Sequence, residues 1–200
     1  MTSRPLRCLP AVLAALLVAG CGDRGYQGTV MQPVLAVPDI ALAGAGGDTV
    51  SFARTGGKLT LVTFGYTSCP DVCPTTLSRW REARQALGPD TASVRFVFVS
   101  GDWRHDTPEA TTRFARTFDA AFHGVTADSA TLRRLLPVFQ AEVGYGGPPG
   151  SANAGFAHSD FDYLVDEKGR VSLWYPFNTR PETFVGDLRR MLREHRQAKA

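Results

Sequence analysis

The chain has 200 residues, of which 44% are apolar and 20% are charged, with a formal net charge of +3. This length is enough for one domain with a hydrophobic core, and the composition is ordinary for a globular protein. The sequence has no run of 18 apolar residues, which excludes an obvious membrane-spanning helix. It also lacks the blocks of basic residues typical of nucleic-acid binding, and we expect no nucleic-acid partner.

The first 20 residues have the composition of an export signal. Arg4 and Arg7 precede an apolar segment, and small residues then lead into Cys21. This order is typical of a secretory signal peptide. The string VAGC at residues 18–21 resembles a bacterial lipobox, which predicts a lipoprotein signal peptide over residues 1–20 and lipidation of Cys21. An ordinary signal peptide with an incidental cysteine is the alternative.

The rest of the chain is predicted to be a tether followed by one domain. Residues 21–35 lack hydrophobic periodicity and are interpreted as the tether, and residues 36–197 as the domain. Without residues 1–20 the chain keeps 20 basic and 19 acidic side chains, so its charge says little about partners. An exported lipoprotein would be anchored in the bacterial cell envelope and would face the periplasm.

Hydrophobic patterns and turn residues predict the elements of the domain in chain order. Apolar runs indicate buried strands, and the last two strands form a hairpin around the turn at residues 166–169. The predicted elements are a strand at 59–64, a helix at 74–87, a strand at 94–99, helices at 108–122 and 129–142, a flexible loop at 144–155, strands at 161–165 and 171–175, and a helix from residue 181. This α/β order matches a thioredoxin-like fold with an extra helix inserted before the hairpin.

Two cysteines remain for chemistry in the mature chain. Cys8 leaves with the signal and Cys21 carries the lipid, so Cys69 and Cys73 must be explained together. Pro74 is tolerated only in the first turn of a helix, which places Cys73 at or beside a helix N-terminus. The helix dipole there lowers the pKa of a thiol and favours the thiolate, the form that binds metal or attacks a disulfide. A structural disulfide across so short a loop would stabilise the fold little.

Two thiolates are too few for a structural zinc site, but with one imidazole they suit Cu(I). The histidines differ in their predicted surroundings. His195 lies among arginines of the last helix and is expected to be solvated, and His123 is expected to cap a helix end. His105 lies in a loop and stays open as a ligand, whereas His158 lies between the glycine-rich loop and a strand, where a mobile segment would carry it to the thiolates.

The cysteine motif also carries a family resemblance. The string FGYTSCPDVCPTTL at residues 64–77 resembles the signature of the Sco/SenC family of copper chaperones, and further similarity follows at residues 98–102, at 106–108 and from His158 to Gly169. In this family the two motif cysteines and the distal histidine bind copper, as Cu(I) or Cu(II). The protein delivers it to the dinuclear copper site of cytochrome c oxidase, or reduces the thiols of that site. The resemblance therefore implies that Cys69, Cys73 and His158 are the metal ligands.

The chain departs from the family pattern near these positions. Ser68 stands where many relatives have His, and Trp103 and His105 replace the usual Pro and Arg. Ala157 stands where an acidic residue is common, and Asp160 or Asp162 is the candidate to support the imidazole in its place.

The resemblance implies a copper metallochaperone rather than a turnover enzyme. Its partner would be the copper-bearing subunit of cytochrome c oxidase or another copper acceptor. The lipid on Cys21 would attach it to the membrane, and we assume that it is a monomer. The alternative is a thiol–disulfide oxidoreductase of the cell envelope, with Cys69 and Cys73 as the redox-active pair. A spacing of three residues argues against it, because dedicated oxidoreductases of this fold usually separate their cysteines by two. A peroxidase is a third possibility, for which we find no dedicated site.

Overall fold

The structure is a computed structural model that describes residues 25–146 and 155–199, without the side chain of the last residue. It is a mixed α/β domain. Its strands are β1 (Thr29–Val30), β2 (Leu42–Ala43), β3 (Thr49–Val50), β4 (Leu59–Gly65), β5 (Val94–Ser100), β6 (His123–Thr126), β7 (Val143–Tyr145), β8 (Phe156–His158), β9 (Phe161–Val165) and β10 (Val171–Pro176). Its helices are α1 (Val72–Leu87), α2 (Pro108–Phe118), α3 (Ser129–Phe139) and α4 (Pro181–Lys199).

One eight-stranded sheet organises the domain, with the strand order β1-β10-β9-β4-β5-β6-β2-β3. Strand β4 lies near its centre, parallel to β5 on one side and antiparallel to β9 on the other. All seven residues of β4 are buried, which explains their almost unbroken apolar sequence. Strands β7 and β8 form a separate two-stranded hairpin, which carries His158.

Two hydrophobic cores cover the two faces of the sheet. Helices α1 and α4 supply most of the helical side chains of the first core, where Trp80 of α1 packs against Phe96 and Phe122. Helix α3 and the N-terminal segment supply the second core, where Phe139 packs against Phe64. A central sheet with helices on both faces is the predicted thioredoxin-like arrangement, with α3 as the inserted helix before the hairpin of β9 and β10.

Several predicted elements are confirmed, and two helices are shorter than predicted. Helix α2 ends at Phe118 rather than residue 122, and residues 123–126 form strand β6, which we did not predict. A Cβ atom at Gly124 would lie 2.1 Å from the carbonyl oxygen of Thr111, so the glycine lets α2 pack tightly against β6. Helix α3 ends at Phe139 rather than residue 142 because Gln140 adopts a left-handed conformation with φ of 52°.

Part of the predicted tether is packed against the domain. Val30 of β1 pairs with Leu173 of β10, and Met31 is 2% exposed in the second core. The buried carboxylate of Asp187 accepts the backbone N–H groups of Gln27 and Gly28. The tether interpretation is therefore wrong for residues 27–31, because sequence patterns do not reveal an edge strand of only two residues.

The remaining predictions for the termini and the long loop are only partly covered by the structure. The predicted signal peptide and Cys21 lie outside the described residues, as do residues 147–154 of the predicted loop. Strand β7 overlaps the start of that loop, and strand β8 begins directly after its end. Among the residues that the structure describes, no helix is both long and apolar enough to cross a membrane.

Candidate metal centre

Both cysteines lie where the chain leaves the central strand and enters α1. Strand β4 ends at Gly65, and a turn closed by the Cys69 N–H and the Tyr66 carbonyl oxygen leads into the helix. Helix α1 begins at Val72, so Cys73 lies in its first turn, as predicted from Pro74. A Cβ atom at Gly65 would lie 2.6 Å from the Cys73 sulfur, so only glycine leaves room for that sulfur to pack against the end of the strand.

His158 reaches the cysteines from the β7–β8 hairpin. Its Cα pairs with that of Val143 in the hairpin register. The hairpin is closed by the Ser159 N–H, which donates to the Glu142 carbonyl oxygen, and by the Ser159 hydroxyl, which accepts the Glu142 N–H at 2.8 Å. On the inner side, the ring centroid of Tyr66 lies 5.8 Å from that of His158. These contacts hold the imidazole against the cysteine turn.

The three predicted ligands converge. The Nε2 atom of His158 lies 3.7 Å from the Cys73 sulfur, and the two sulfurs and one imidazole nitrogen all lie within 4.8 Å of one another. Around one ion with metal–sulfur distances of about 2.3 Å and a metal–nitrogen distance of about 2.0 Å, ligand atoms lie roughly 3.5–4 Å apart. The arrangement therefore accepts a single metal ion with little movement. Within the described residues it is the one cluster of this kind.

The orientation of the His158 ring is set by a neighbouring backbone group. Its Nδ1 lies 2.9 Å from the Ser159 carbonyl oxygen, and a proton on Nδ1 would leave the Nε2 lone pair directed at the thiols. The expectation that Asp160 or Asp162 supports the ring is wrong. Asp160 is exposed, and Asp162 is buried on the sheet with its Oδ1 unpaired. The group that contacts Nδ1 of the ring is therefore a backbone carbonyl and not an acidic side chain.

The two thiols have opposite electrostatic environments. A hydrogen bond from the Cys73 thiol, together with the amides of Cys73 and Asp71, lowers the pKa of Cys69 to about 4 despite its burial. The same hydrogen bond and burial raise the pKa of Cys73 far above its usual value. We predicted the low thiol pKa for Cys73 from its place in the helix. It belongs instead to Cys69, whose sulfur lies 3.4 Å from the Cys73 backbone nitrogen.

The other histidines lie away from the thiols. The Nδ1 of His105 bonds to both carboxylate oxygens of Asp102, at 2.9 and 3.0 Å. His123 begins strand β6 rather than capping a helix, and its Nδ1 lies 3.9 Å from Asp48. His195 is not solvated as predicted, because its Nδ1 pairs at 3.2 Å with the carboxylate of Glu167.

Asp106 lies in one of the stretches that resemble the family, but its supporting role was not predicted. Its carboxylate accepts the backbone N–H of Thr67 at 2.8 Å, the Thr67 hydroxyl at 2.5 Å and the hydroxyl of Ser100. These bonds tie the turn before Cys69 to the end of β5. Strand order alone predicts that the ends of β4 and β5 meet, but it does not say which side chain joins them.

Asp162 is a buried carboxyl group on the sheet beneath α1. It pairs in register with Thr63, two residues before Gly65, and so lies on the face of the sheet that carries Cys73. Burial raises its pKa to about 8. Its Oδ1 and the nearby indole nitrogen of Trp80 have no hydrogen-bond partner among the described residues.

Comparisons with known proteins identify the family of this chain. The sequence profile described as SCO1/SenC matches residues 34–193. The SCO2-like protein of Rickettsia conorii is 30% identical over 154 residues, covering 76% of this chain and 74% of that protein. The solution structure of apo Sco1 from Thermus thermophilus has a TM-score of 0.75 at 29% identity, covering 85% of this chain and 99% of that one.

A third relative is a structure of ScoI from Bradyrhizobium japonicum with copper bound. It has a TM-score of 0.68 at 30% identity and covers 78% of this chain and 99% of that one. The profile match spans most of the sequence, including both cysteines and His158. This chain therefore belongs to the SCO1/SenC family.

Proposed function

We propose that this protein is a copper metallochaperone in which Cys69, Cys73 and His158 hold one copper ion as cargo. The observation that carries the proposal is the convergence of these three donor atoms within 4.8 Å. Two thiolates and one imidazole are soft donors that give a coordination number of three, which suits Cu(I) better than zinc or a hard cation. The relative from Bradyrhizobium japonicum, described with copper bound, supports the choice of metal.

The cargo would be loaded and released at the edge of the domain. Cys73 is 2% exposed and Cys69 is 9% exposed, so the metal would be shielded on the Cys73 side. His158 belongs to a hairpin outside the main sheet, which favours its departure without disruption of the core. The acceptor we propose, from the family resemblance, is the dinuclear copper site of cytochrome c oxidase.

A second function is thiol–disulfide exchange at the same pair of cysteines. Both are free thiols, and the low pKa of Cys69 makes it a thiolate at neutral pH. Cys69 would attack an acceptor disulfide, Cys73 would then attack Cys69, and the acceptor would leave as a dithiol while this chain kept the disulfide. Such reduction would prepare an acceptor for copper.

We propose an envelope location with a lipid anchor at Cys21. The support is the basic start, the apolar segment and the VAGC string at residues 18–21. Two or more acyl chains on Cys21 would hold the protein stably on a membrane. Mass spectrometry of the protein purified from membranes tests this proposal, and an N-terminus at Cys21 without lipid would contradict it.

Copper titration of the reduced full-length protein tests the main proposal. We expect one Cu(I) bound per chain, measured by competition with a chelator of known affinity. Cys69→Ser and Cys73→Ser should each abolish tight binding, because one thiolate and one imidazole cannot retain Cu(I) against the competitor. Tight binding that survives both substitutions would contradict the proposal.

The reduction potential of the cysteine pair tests the second function. A potential well below that of the periplasmic oxidants would favour reduction of an acceptor. A potential too high for an acceptor disulfide to oxidise the pair, or no exchange with a mixed disulfide over hours, would leave copper binding as the sole role of the two thiols.

A further inference from the structure

A second cavity adjoins the metal centre on the side of the loop after β5. It measures about 440 Å³ and is lined by Tyr66, Ser68, Arg104, His105, Tyr145 and Phe156, with Asp102 beneath. Trp103 and His105, which depart from the family pattern, belong to this loop, and the ring of Trp103 packs edge-on against Tyr145 with a centroid distance of 5.2 Å. The metal centre does not account for Arg104, His105 or Tyr145.

The cavity is continuous with the surface through which copper would leave. Tyr66 and Phe156 line both this cavity and the smaller one that contains Cys69 and His158. Their rings lie in edge-on contact, with centroids 5.2 Å apart. Transfer by ligand exchange requires donor atoms of the acceptor to reach the metal. An acceptor protein seated over Cys69 and His158 would therefore also cover the neighbouring cavity.

The exposed charge in this cavity is positive. The guanidinium carbon of Arg104 lies 4.1 Å from the centroid of the Tyr145 ring, so its planar fork is held by stacking. No carboxylate in the described part of the chain forms an ion pair with it. The acidic residue beneath, Asp102, is 4% exposed. Its negative charge is directed inward.

Asp102 makes the cavity rigid. It accepts hydrogen bonds from the Tyr145 hydroxyl, from Nδ1 of His105 and from the backbone N–H groups of Arg104 and His105. These bonds fix the loop after β5 and join it to β7 of the hairpin that carries His158. A rigid site with aromatic walls and one outward guanidinium loses little entropy on binding.

We propose that this cavity recognises the copper acceptor by binding a carboxylate side chain of that protein. Arg104 would hold the carboxylate through paired N–H groups, and Tyr66, Tyr145 and Phe156 would contact its apolar stem. The cavity would then align the acceptor over Cys69 and His158. This inference rests on the proposed function, because it assigns the partner chemistry of the same transfer step.

Stopped-flow transfer of Cu(I) from the full-length protein to the purified soluble copper domain of the oxidase tests the proposal. Arg104→Gln should lower the second-order rate at low ionic strength by about fivefold or more, and Arg104→Glu should lower it further. Both variants should keep the wild-type copper affinity and unfolding midpoint. Arg113→Gln, an exposed arginine on α2, is the matched control and should transfer at the wild-type rate.

The contribution of the acceptor is tested by reversing charges on both proteins. Acidic residues of the copper domain are replaced by lysine one at a time, and one of these variants should restore transfer from Arg104→Glu while slowing transfer from the wild type. Equal rates for wild type and both Arg104 variants at low and high ionic strength would overturn the proposal.

A binding titration separates this inference from the proposed function. If the wild type binds copper but transfers none, the delivery function fails, and the cavity is judged by titrating the metal-free protein with the same copper domain. Weaker binding of Arg104→Glu than of Arg113→Gln would still support the cavity. Equal binding of these two variants, or no binding by the wild type, would refute it.

Discussion

The imidazole of His158 is oriented by its own chain, because its Nδ1 lies 2.9 Å from the carbonyl oxygen of Ser159. Ser159 also closes the hairpin, because its backbone amide and its hydroxyl are both hydrogen-bonded to Glu142. The position of this proposed ligand and the direction of its Nε2 atom therefore depend on the end of β8 and on Ser159, the residue that follows it.

Replacement of His158 should weaken copper binding without unfolding the domain. We expect His158→Ala to lower the copper affinity by about a hundredfold or more, because one of three ligands is lost. Competition titration with a chelator measures the change. His105→Ala is the matched control and should bind copper as the wild type does. Equal losses in the two variants would show that the distal ligand has been assigned wrongly.

The two thiols should differ in their reaction with iodoacetamide. With its pKa lowered to about 4, Cys69 is a thiolate throughout the neutral range, so its alkylation rate should stay nearly flat between about pH 6 and pH 9. Cys73 should remain unmodified because it is buried and protonated. Mass spectrometry of the reduced, metal-free protein distinguishes the sites.

The variant Cys73→Ala tests the cause of the low pKa of Cys69. Loss of the neighbouring thiol donor should return the pKa of Cys69 toward the ordinary value of about 8.5, and the alkylation rate should then rise with pH. A Cys69 rate that already rises steeply above pH 7 in the wild type would contradict the account.

Asp162 should make the stability of the domain fall as pH rises. Its pKa is about 8 in the folded state and about 4 in an unfolded chain, so between these values the folded state holds the extra proton. The free energy of unfolding therefore decreases from pH 4 to pH 8. We expect Asp162→Asn to be more stable than the wild type at pH 8, by on the order of 2 kcal/mol, and similar to it at pH 4.

Urea denaturation at both pH values measures this effect. Asp160→Asn, an exposed neighbour, should show no pH-dependent gain. The same stability difference at pH 4 and pH 8 would mean that Asp162 does not titrate in this range.

Asp106 should be required for a well-ordered cysteine turn. Asp106→Ala removes the acceptor for three hydrogen bonds from Thr67 and Ser100, and we expect it to reduce the free energy of unfolding by about 2–4 kcal/mol. Asp106→Asn, which keeps one acceptor oxygen, should lose less. Glu109→Gln, at an exposed residue in the first turn of α2, is the control for loss of a nearby charge. Stability equal to that of the control would show that the hydrogen bonds of Asp106 to Thr67 and Ser100 contribute little.

The fold and the chemistry could be predicted from the sequence to different extents. The apolar runs of β4 and β5 predicted that these strands are buried in the sheet. Pro74 predicted where α1 begins. Strand β6 and the packed residues 27–31 were missed, because short elements depend on contacts with distant residues such as Asp187 and Thr111.

At the site, residue types and spacing predicted which side chains to consider, and the family resemblance completed the proposed ligand set. They did not predict the roles of Asp106 and of the Ser159 carbonyl. Nor did they show that Cys69 rather than Cys73 has the low pKa, since that assignment depends on the direction of one thiol hydrogen bond. Such details follow from tertiary contacts between residues far apart in the chain.

X-ray absorption spectroscopy of the reduced protein loaded with one equivalent of Cu(I) tests the central claim most directly. We predict two sulfur ligands at about 2.3 Å and one nitrogen ligand at about 2.0 Å, with the nitrogen lost in His158→Ala. A linear site with two sulfur ligands, unchanged by that substitution, would contradict the account.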